Sequence, residues 1–161
     1  MKYPSRFNGN IRRGQLKNIQ LGLLFSLIWL MPLCRPCLLP AQGQEMKEAL
    51  FDLLAKPQYK PAFKNLLAGH KGLPQWITLG RGVSSPCEKR TIGSGTFIVG
   101  SMCEPHNCGN HQFAVAFSAD LKQAWGLRYI ADDNPQIKPK REWFGNPNEE
   151  LKKALESRLS L

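Results

Sequence analysis

Thr96-Phe97-Ile98-Val99-Gly100-Ser101-Met102 and Gln112-Phe113-Ala114-Val115-Ala116-Phe117-Ser118 are two β-prone runs separated only by residues 103–111. Alternation along each run allows a face to be buried, with Phe97 and Val99 on one side and Phe113, Val115 and Phe117 on the partner. The two strands then flank Cys103-Glu104-Pro105-His106-Asn107-Cys108-Gly109-Asn110-His111, which becomes a hairpin end. Further β-prone runs lie at residues 76–79, 90–92 and 124–130, punctuated by Ser84-Ser85-Pro86, Gly93-Ser94-Gly95 and Ala119-Asp120. Connections this short favour antiparallel hairpins over parallel crossovers.

Helical patterns bracket the strands. Met46, Ala49, Leu50, Leu53 and Leu54 recur at three- and four-residue spacing over residues 45–56, and Pro57 stops that pattern. A second amphipathic stretch over residues 61–68 starts at Pro61, ends at Gly69 and carries Phe63, Leu66 and Leu67 as its buried stripe. Gly72 and Pro74 then break the chain. After Ile130 a polar segment leads to Trp143-Phe144, and Lys138, Lys140 and Arg141 read as a solvated turn. The last helix is expected to begin at Asn146, with that residue as cap, Pro147 in the first position and Glu149 completing a capping box. Leu151, Ala154, Leu155 and Leu159 form its apolar face. The fold class is therefore α+β: a central antiparallel sheet of about five strands, packed helices and a hairpin loop between two cysteines.

At 161 residues and 18.2 kDa the chain has room for one ordinary domain, which excludes a large multidomain enzyme. A hydrophobic share of 42% and a charged share of 21% exclude a disordered or fibrous chain. The formal charge of +10 would raise nucleic-acid binding, but six basic groups and no acidic one fall in the first 43 residues. The remainder carries 16 Lys/Arg against 12 Asp/Glu, an ordinary mildly basic surface, so no nucleic-acid partner is expected. The basic stretch leads into an apolar run over residues 21–33, the length of a signal-peptide core and too short to span a bilayer comfortably. Ala41-Gln42-Gly43 offers small residues for cleavage after Gly43, and a second site lies after Ala41. The expected organisation is a signal peptide over 1–43 and a folded domain over 44–161, with no membrane association after cleavage; an uncleaved anchor is the alternative. A lipoprotein is disfavoured because Met31-Pro32-Leu33-Cys34 lacks a small residue before the cysteine.

Cleavage removes Cys34 and Cys37 and leaves Cys87, Cys103 and Cys108, an odd number. In an oxidising compartment the local pair Cys103/Cys108 is the expected bridge, and Cys87 is left free, bonded to a partner chain, or competing for one of the two. Such a bridge, with Pro105 fixing one φ and Gly109 freeing another, would hold His106 at an exposed tip. An imidazole there can both donate and accept hydrogen bonds. Cys103, His106, Cys108 and His111 also admit a metal-site reading, but four ligands within nine residues leave little chain to wrap a tetrahedral ion, so no metal or cofactor is expected. A thiol oxidoreductase would place its cysteines in a C-x-x-C turn at a helix start. No nucleophile and base pair for a hydrolase is identifiable. His70 and His111 read as structural or solvated, Trp76, Trp125 and Trp143 as packing residues, and Asp132-Asp133 as non-catalytic.

The loop C-E-P-H-N-C-G at 103–109 resembles the C-K-P-H-D-C-G loop of the periplasmic inhibitors of vertebrate, C-type lysozyme from Gram-negative bacteria. Gly69-His70-Lys71-Gly72-Leu73-Pro74-Gln75-Trp76 and the spacing between the two segments resemble that family as well, and the likeness covers residues 45–130. The resemblance implies a periplasmic, non-enzymatic inhibitor with a central antiparallel sheet, whose loop residues Glu104, Pro105, His106 and Asn107 bind the target. It implies that His106 enters the cleft of a C-type lysozyme or related muramidase between the two catalytic carboxyls, and that the protein homodimerises. Glu104 stands where the family has Lys, and Asn107 where it has Asp. Both changes are expected to weaken binding relative to the family pattern, and an endogenous lytic transglycosylase remains an alternative target.

Overall fold

The two central runs pair as read, and the rest of the molecule is built on them. The computed structural model describes residues 43–159, so the expected signal peptide, apart from Gly43, lies outside the described residues. In chain order the elements are β1 (Gln44–Ala49), α1 (Leu50–Ala55), α2 (Lys60–Leu67), α3 (Gln75–Thr78), β2 (Val83–Ser84), β3 (Pro86–Ile92), β4 (Gly95–Cys103), β5 (His111–Ser118), β6 (Ala124–Ile130), β7 (Lys140–Phe144) and α4 (Glu149–Glu156). The strands form one antiparallel sheet in the order β1-β3-β4-β5-β6-β7, with β2 paired to the end of β4. The α+β class holds, and the sheet is wider than the five strands expected.

The register of β4 on β5 corrects the expected core. Val99 opposes Ala116, Ile98 opposes Phe117, Gly100 opposes Val115 and Met102 opposes Phe113. Directly opposed residues share a face. Phe97 and Val99 therefore point away from Phe113, Val115 and Phe117, and both faces of the sheet are buried instead of one. On the first face Leu50, Leu53, Phe63, Leu66 and Ile77 from α1, α2 and α3 cover Phe113, Val115, Phe117 and Phe144. Edge-to-face rings lock this layer, Tyr59 on Phe117 at 5.2 Å and Phe63 on Phe113 at 6.3 Å between centroids. On the second face Leu151, Leu155 and Leu159 cover Val99, Ala114, Ala116 and Leu127. The small side chains of Ala114 and Ala116 let α4 come close.

Four local expectations are also corrected. The helix expected over residues 45–56 begins only at Leu50, because residues Gln44–Ala49 supply the strand that covers the outer edge of β3. Leu50, Leu53 and Leu54 keep the helical spacing, whereas Met46 and Ala49 belong to the strand. The run expected as a strand at 76–79 is helical through Thr78 despite its β-branched and aromatic residues. The Pro74 carbonyl accepts from the Ile77 and Thr78 amides at 3.0 and 3.1 Å, and at the other end Arg81 N–H bonds to Trp76 O and Gly80 N–H to Ile77 O, both at 2.9 Å. Those last two bonds make a Schellman closure, with Gly80 at φ +61° in the left-handed position. The third correction is that Lys140 and Arg141 lie on the edge strand β7, anchored by the buried Phe144, instead of in a turn. Charged residues suit an edge that must not pair with another chain. The fourth is the cap of α4, which is Asn148 and not Asn146: its Oδ1 accepts from Leu151 N–H at 2.9 Å, and Asn146 sits at φ +52° outside the helix.

Because α4 covers a true second core, Leu155→Ala is expected to lower stability by about 2–5 kcal/mol, the same range as Leu53→Ala on the opposite face. Urea unfolding of the two variants checks this. A loss under about 0.5 kcal/mol for Leu155→Ala would mean that the α4 face is an ordinary surface.

Candidate functional site

Past the ends of β4 and β5 the chain closes a short loop with the Cys103–Cys108 disulfide, whose Cα atoms lie 4.8 Å apart. The ladder continues one step into the loop, since Glu104 N–H bonds to His111 O at 3.0 Å. A four-residue turn then runs from Glu104 to Asn107, closed by Asn107 N–H to Glu104 O at 3.0 Å. Pro105 takes its second position and His106 its third, with φ +65° at His106. Positive φ in that position after a Pro is the pattern of a type II turn, which ordinarily uses Gly there. A histidine in this region carries strain of about 1–2 kcal/mol. His106 and Pro105 are exposed, and the His106 ring takes part in no hydrogen bond or ion pair among the described residues.

The side chains beneath the tip hold one another. The Glu104 carboxylate accepts from Asn107 Nδ2 at 2.9 Å and from His111 Nδ1 at 2.5 Å through the same Oε2, which puts the Nδ1 proton of His111 toward Glu104. Hydrogen bonds from Asn107 and then His111, with the charges of His111 and Arg128 behind them, hold the Glu104 carboxyl below its usual range, against the opposing effect of burial. Glu104 and Asn107, read from the sequence as target-binding residues, thus make hydrogen bonds within the loop. His111, read as structural or solvated, is the third member of this clamp. The loop is tied sideways as well: Asn110 Nδ2 donates to Asp133 Oδ1 at 2.5 Å, and the Ala131 amide bonds to Asn110 O at 2.8 Å.

The segment around residues 69–76 acts through backbone shape. Gly69 and Gly72 have positive φ, and Pro74 starts α3, which buries Trp76 under the base of the loop. A Cβ on Gly82 would lie 2.6 Å from the Cys103 carbonyl oxygen and 3.0 Å from Trp76, so only glycine lets β2 seat against Cys103. His70 stands apart from the loop, with its ring 4.3 Å from that of Phe144. Cys87 is free, fully buried and packed against Gly100, and burial pushes its thiol pKa up to about 12. It is therefore screened from the loop cysteines and from any partner chain. With Cys103 and Cys108 bonded to each other, neither sulfur is free to act as a thiolate ligand in the four-residue metal reading.

The chain is thus an α+β domain that presents a covalently closed loop with an exposed His106 at the end of a rigid hairpin. The family described as "Inhibitor of vertebrate lysozyme" matches residues 58–160, and the chain belongs to that family. It is 32% identical over 127 residues to the inhibitor of vertebrate lysozyme of Pseudomonas aeruginosa, covering 74% of this chain and 82% of that one. The protein of the same name from Escherichia coli K12 is 37% identical over 92 residues, 57% of this chain and 56% of that one. An uncharacterized protein of Yersinia pestis is 41% identical over 114 residues, 67% of this chain and 74% of that one. The resemblance carried by residues 69–76 and 103–109 is borne out, and the named relatives are inhibitors, not enzymes.

The direction of the Glu104 shift fixes a pH effect. A carboxyl whose folded pKa is depressed contributes stability above its unfolded value and loses it as pH falls through the folded value. The loop is therefore expected to be fully ordered at neutral pH and to loosen in acid, beginning near the ordinary glutamate pKa of about 4.3. Amide exchange at Asn107 and His111 between pH 7 and pH 2 measures this. Glu104→Gln should abolish the acid transition in the loop; an unchanged transition would place its origin elsewhere.

Proposed function

We propose that this protein inhibits a C-type lysozyme by inserting the 103–108 loop into the catalytic cleft, with His106 between the two catalytic carboxyls. The observation that carries this reading is His106 itself: exposed, free of hydrogen bonds among the described residues, and held at φ +65° by the turn and disulfide around it. Strain persists where the surrounding structure over-determines it and the strained conformer has a use. Membership of the family, and the names of the Pseudomonas aeruginosa and Escherichia coli relatives, supply the target class.

The chemistry of such a contact follows from the ring. A retaining glycosidase keeps one carboxyl protonated as acid and the other ionised as nucleophile, about 5–5.5 Å apart. A neutral imidazole has one N–H donor and one bare nitrogen on opposite edges of the ring. The donor suits the ionised carboxylate and the acceptor suits the protonated acid, so one side chain engages both groups in the states that catalysis requires. The sugar position is then filled and the proton donor occupied. A loop that is already closed loses little entropy on docking. We further propose that the protein acts in the periplasm after removal of residues 1–43, as the basic stretch, apolar run and Ala41-Gln42-Gly43 suggest.

His106→Ala is expected to cost about 2–4 kcal/mol of binding, the range of a central hot spot. Lysis of a peptidoglycan suspension by a C-type lysozyme, with and without the variant, reads the loss; unchanged inhibition would defeat the insertion reading. His106→Gly should lose inhibition while matching or exceeding the wild-type thermal stability, because glycine relaxes the positive φ. Mass spectrometry of the exported protein is expected to find Gln44 as the first residue, and an intact Met1 would favour the uncleaved anchor.

A further inference from the structure

Within the helix layer a cavity of about 610 Å³ lies between α1, α2 and the end of α3. Its apolar walls are Leu54 of α1, Phe63 and Leu67 of α2, and Leu79 just past α3. Leu54 and Phe63 are buried, whereas Leu79 is 57% exposed. Gly80 closes the α3 side: its φ is +61°, and a Cβ there would lie 2.7 Å from Leu54 Cδ1. Backbone and core packing thus shape the cavity, and its size is that of a small-molecule site, about 300–1,000 Å³. No residue of the 103–111 loop lines it, so this site is independent of the inhibitory one.

Charge at this cavity has one sign. Lys60 and Lys64 of α2 line it, and no Asp or Glu does. The two stand four residues apart on one side of the helix, a spacing at which like charges destabilise it. Lys60 is also the first residue of α2, where a cation opposes the helix dipole, and no acid in that turn offsets it. Lys56, just before α2, pairs with Glu48, but Lys60 and Lys64 have no hydrogen bond or ion pair among the described residues. Thr78, the remaining polar side chain of the lining, gives its hydroxyl proton to Gln75 O at 3.3 Å within its own helix. The two ammonium groups are then the side-chain donors that a ligand would meet. Neither the helix nor a neighbour accounts for them, and an anion between them would relieve their repulsion.

We propose that this cavity binds a fatty acid, a single alkyl chain ending in a carboxylate. The chain would lie against Leu54, Phe63, Leu67 and Leu79, and the carboxylate would sit between the Lys60 and Lys64 ammonium groups. An uncharged head would leave both lysines unpaired, and a cationic head would add a third like charge to them. The apolar walls therefore set the affinity, and the lysines select the sign of the head.

Calorimetric titration of the exported protein with dodecanoate, kept below the concentration at which it forms micelles, tests the site. One saturable equivalent is expected, with decanoate about tenfold weaker for its two missing methylenes. Dodecyltrimethylammonium, the same chain with a cationic head, should bind at least about tenfold more weakly than dodecanoate. In the variant Lys60→Gln with Lys64→Gln, dodecanoate should weaken about tenfold, and the two heads should then bind within about threefold of each other. Leu79→Asp, at an exposed position, should weaken dodecanoate at least about tenfold by setting a carboxylate in its path. Equal affinity of the wild type for both heads would overturn the proposal and leave the lysines as solvated side chains whose stems line an apolar hollow. Absent binding, or binding untouched by Leu79→Asp, would overturn it as well. A changed oligomeric state in Leu79→Asp with an unaltered titration would overturn it in favour of a contact between copies of this chain. Retention of the wild type on phosphatidylglycerol vesicles without saturable uptake of monomeric dodecanoate would overturn it in favour of a membrane surface.

Discussion

Antiparallel pairing of β4 with β5, running from Phe97 opposite Ser118 to Cys103 opposite Gln112, is the constraint to which every other element answers. Its two faces are both apolar, the large side chains of Phe113, Val115 and Phe117 on one and Val99, Ala114 and Ala116 on the other. A strand pair apolar on both sides needs a layer on each. The three N-terminal helices supply one layer and α4 the other, and Arg158 and Arg90 fasten the end of α4 back to β3 through Glu88 and Ser157. Past the hairpin end of this pair the chain comes out to solvent, with Pro105, His106, Cys108 and Gly109 exposed. A loop placed there inherits the rigidity of a doubly packed ladder while facing solvent.

That rigidity makes the strained tip tenable. A left-handed histidine relaxes wherever its neighbours allow it, so its persistence requires several independent restraints. Here they are the disulfide, the fixed φ of Pro105, the Glu104–Asn107 backbone bond and the side-chain clamp of Glu104, Asn107 and His111. None passes through the imidazole. The ring is held in place by the loop without being consumed by it, which is what the proposed insertion requires.

Much of this was legible in the chain. Residues 96–102 and 112–118 announce strands, the two cysteines announce a closed loop, and residues 69–76 with 103–109 carry the family. What could not be read is what depends on distant pairing. The face assignment failed because an odd or even offset across a loop is set by register, which alternation within each strand does not encode. Residues 44–49 have good helix formers, and only the open edge of β3 makes them a strand. Residues 76–79 failed in the other direction: Trp76, Ile77 and Thr78 became part of a helix because Pro74 before and Gly80 after satisfy its ends. That signal was local and present, and caps outweighed side-chain preference in so short a segment. In the site, Glu104 and His111 stand seven residues apart in sequence, and only the closed hairpin makes them neighbours.

The departures at Glu104 and Asn107 look different once the clamp is known. Read as a bare sequence, Glu104 brings a negative charge to a cleft that holds two carboxyl groups, and repulsion should follow. In the folded loop that charge accepts hydrogen bonds from His111 and Asn107 and lies near Arg128, so its field toward a target is partly offset before any target arrives. Asn107 is the donor that the carboxylate at position 104 requires; an aspartate there would set two acids against each other across the turn. The two substitutions are therefore coupled through the loop's own geometry, and changing either one alone acts first on the shape of the turn that carries His106 and only second on the charge the loop presents to solvent.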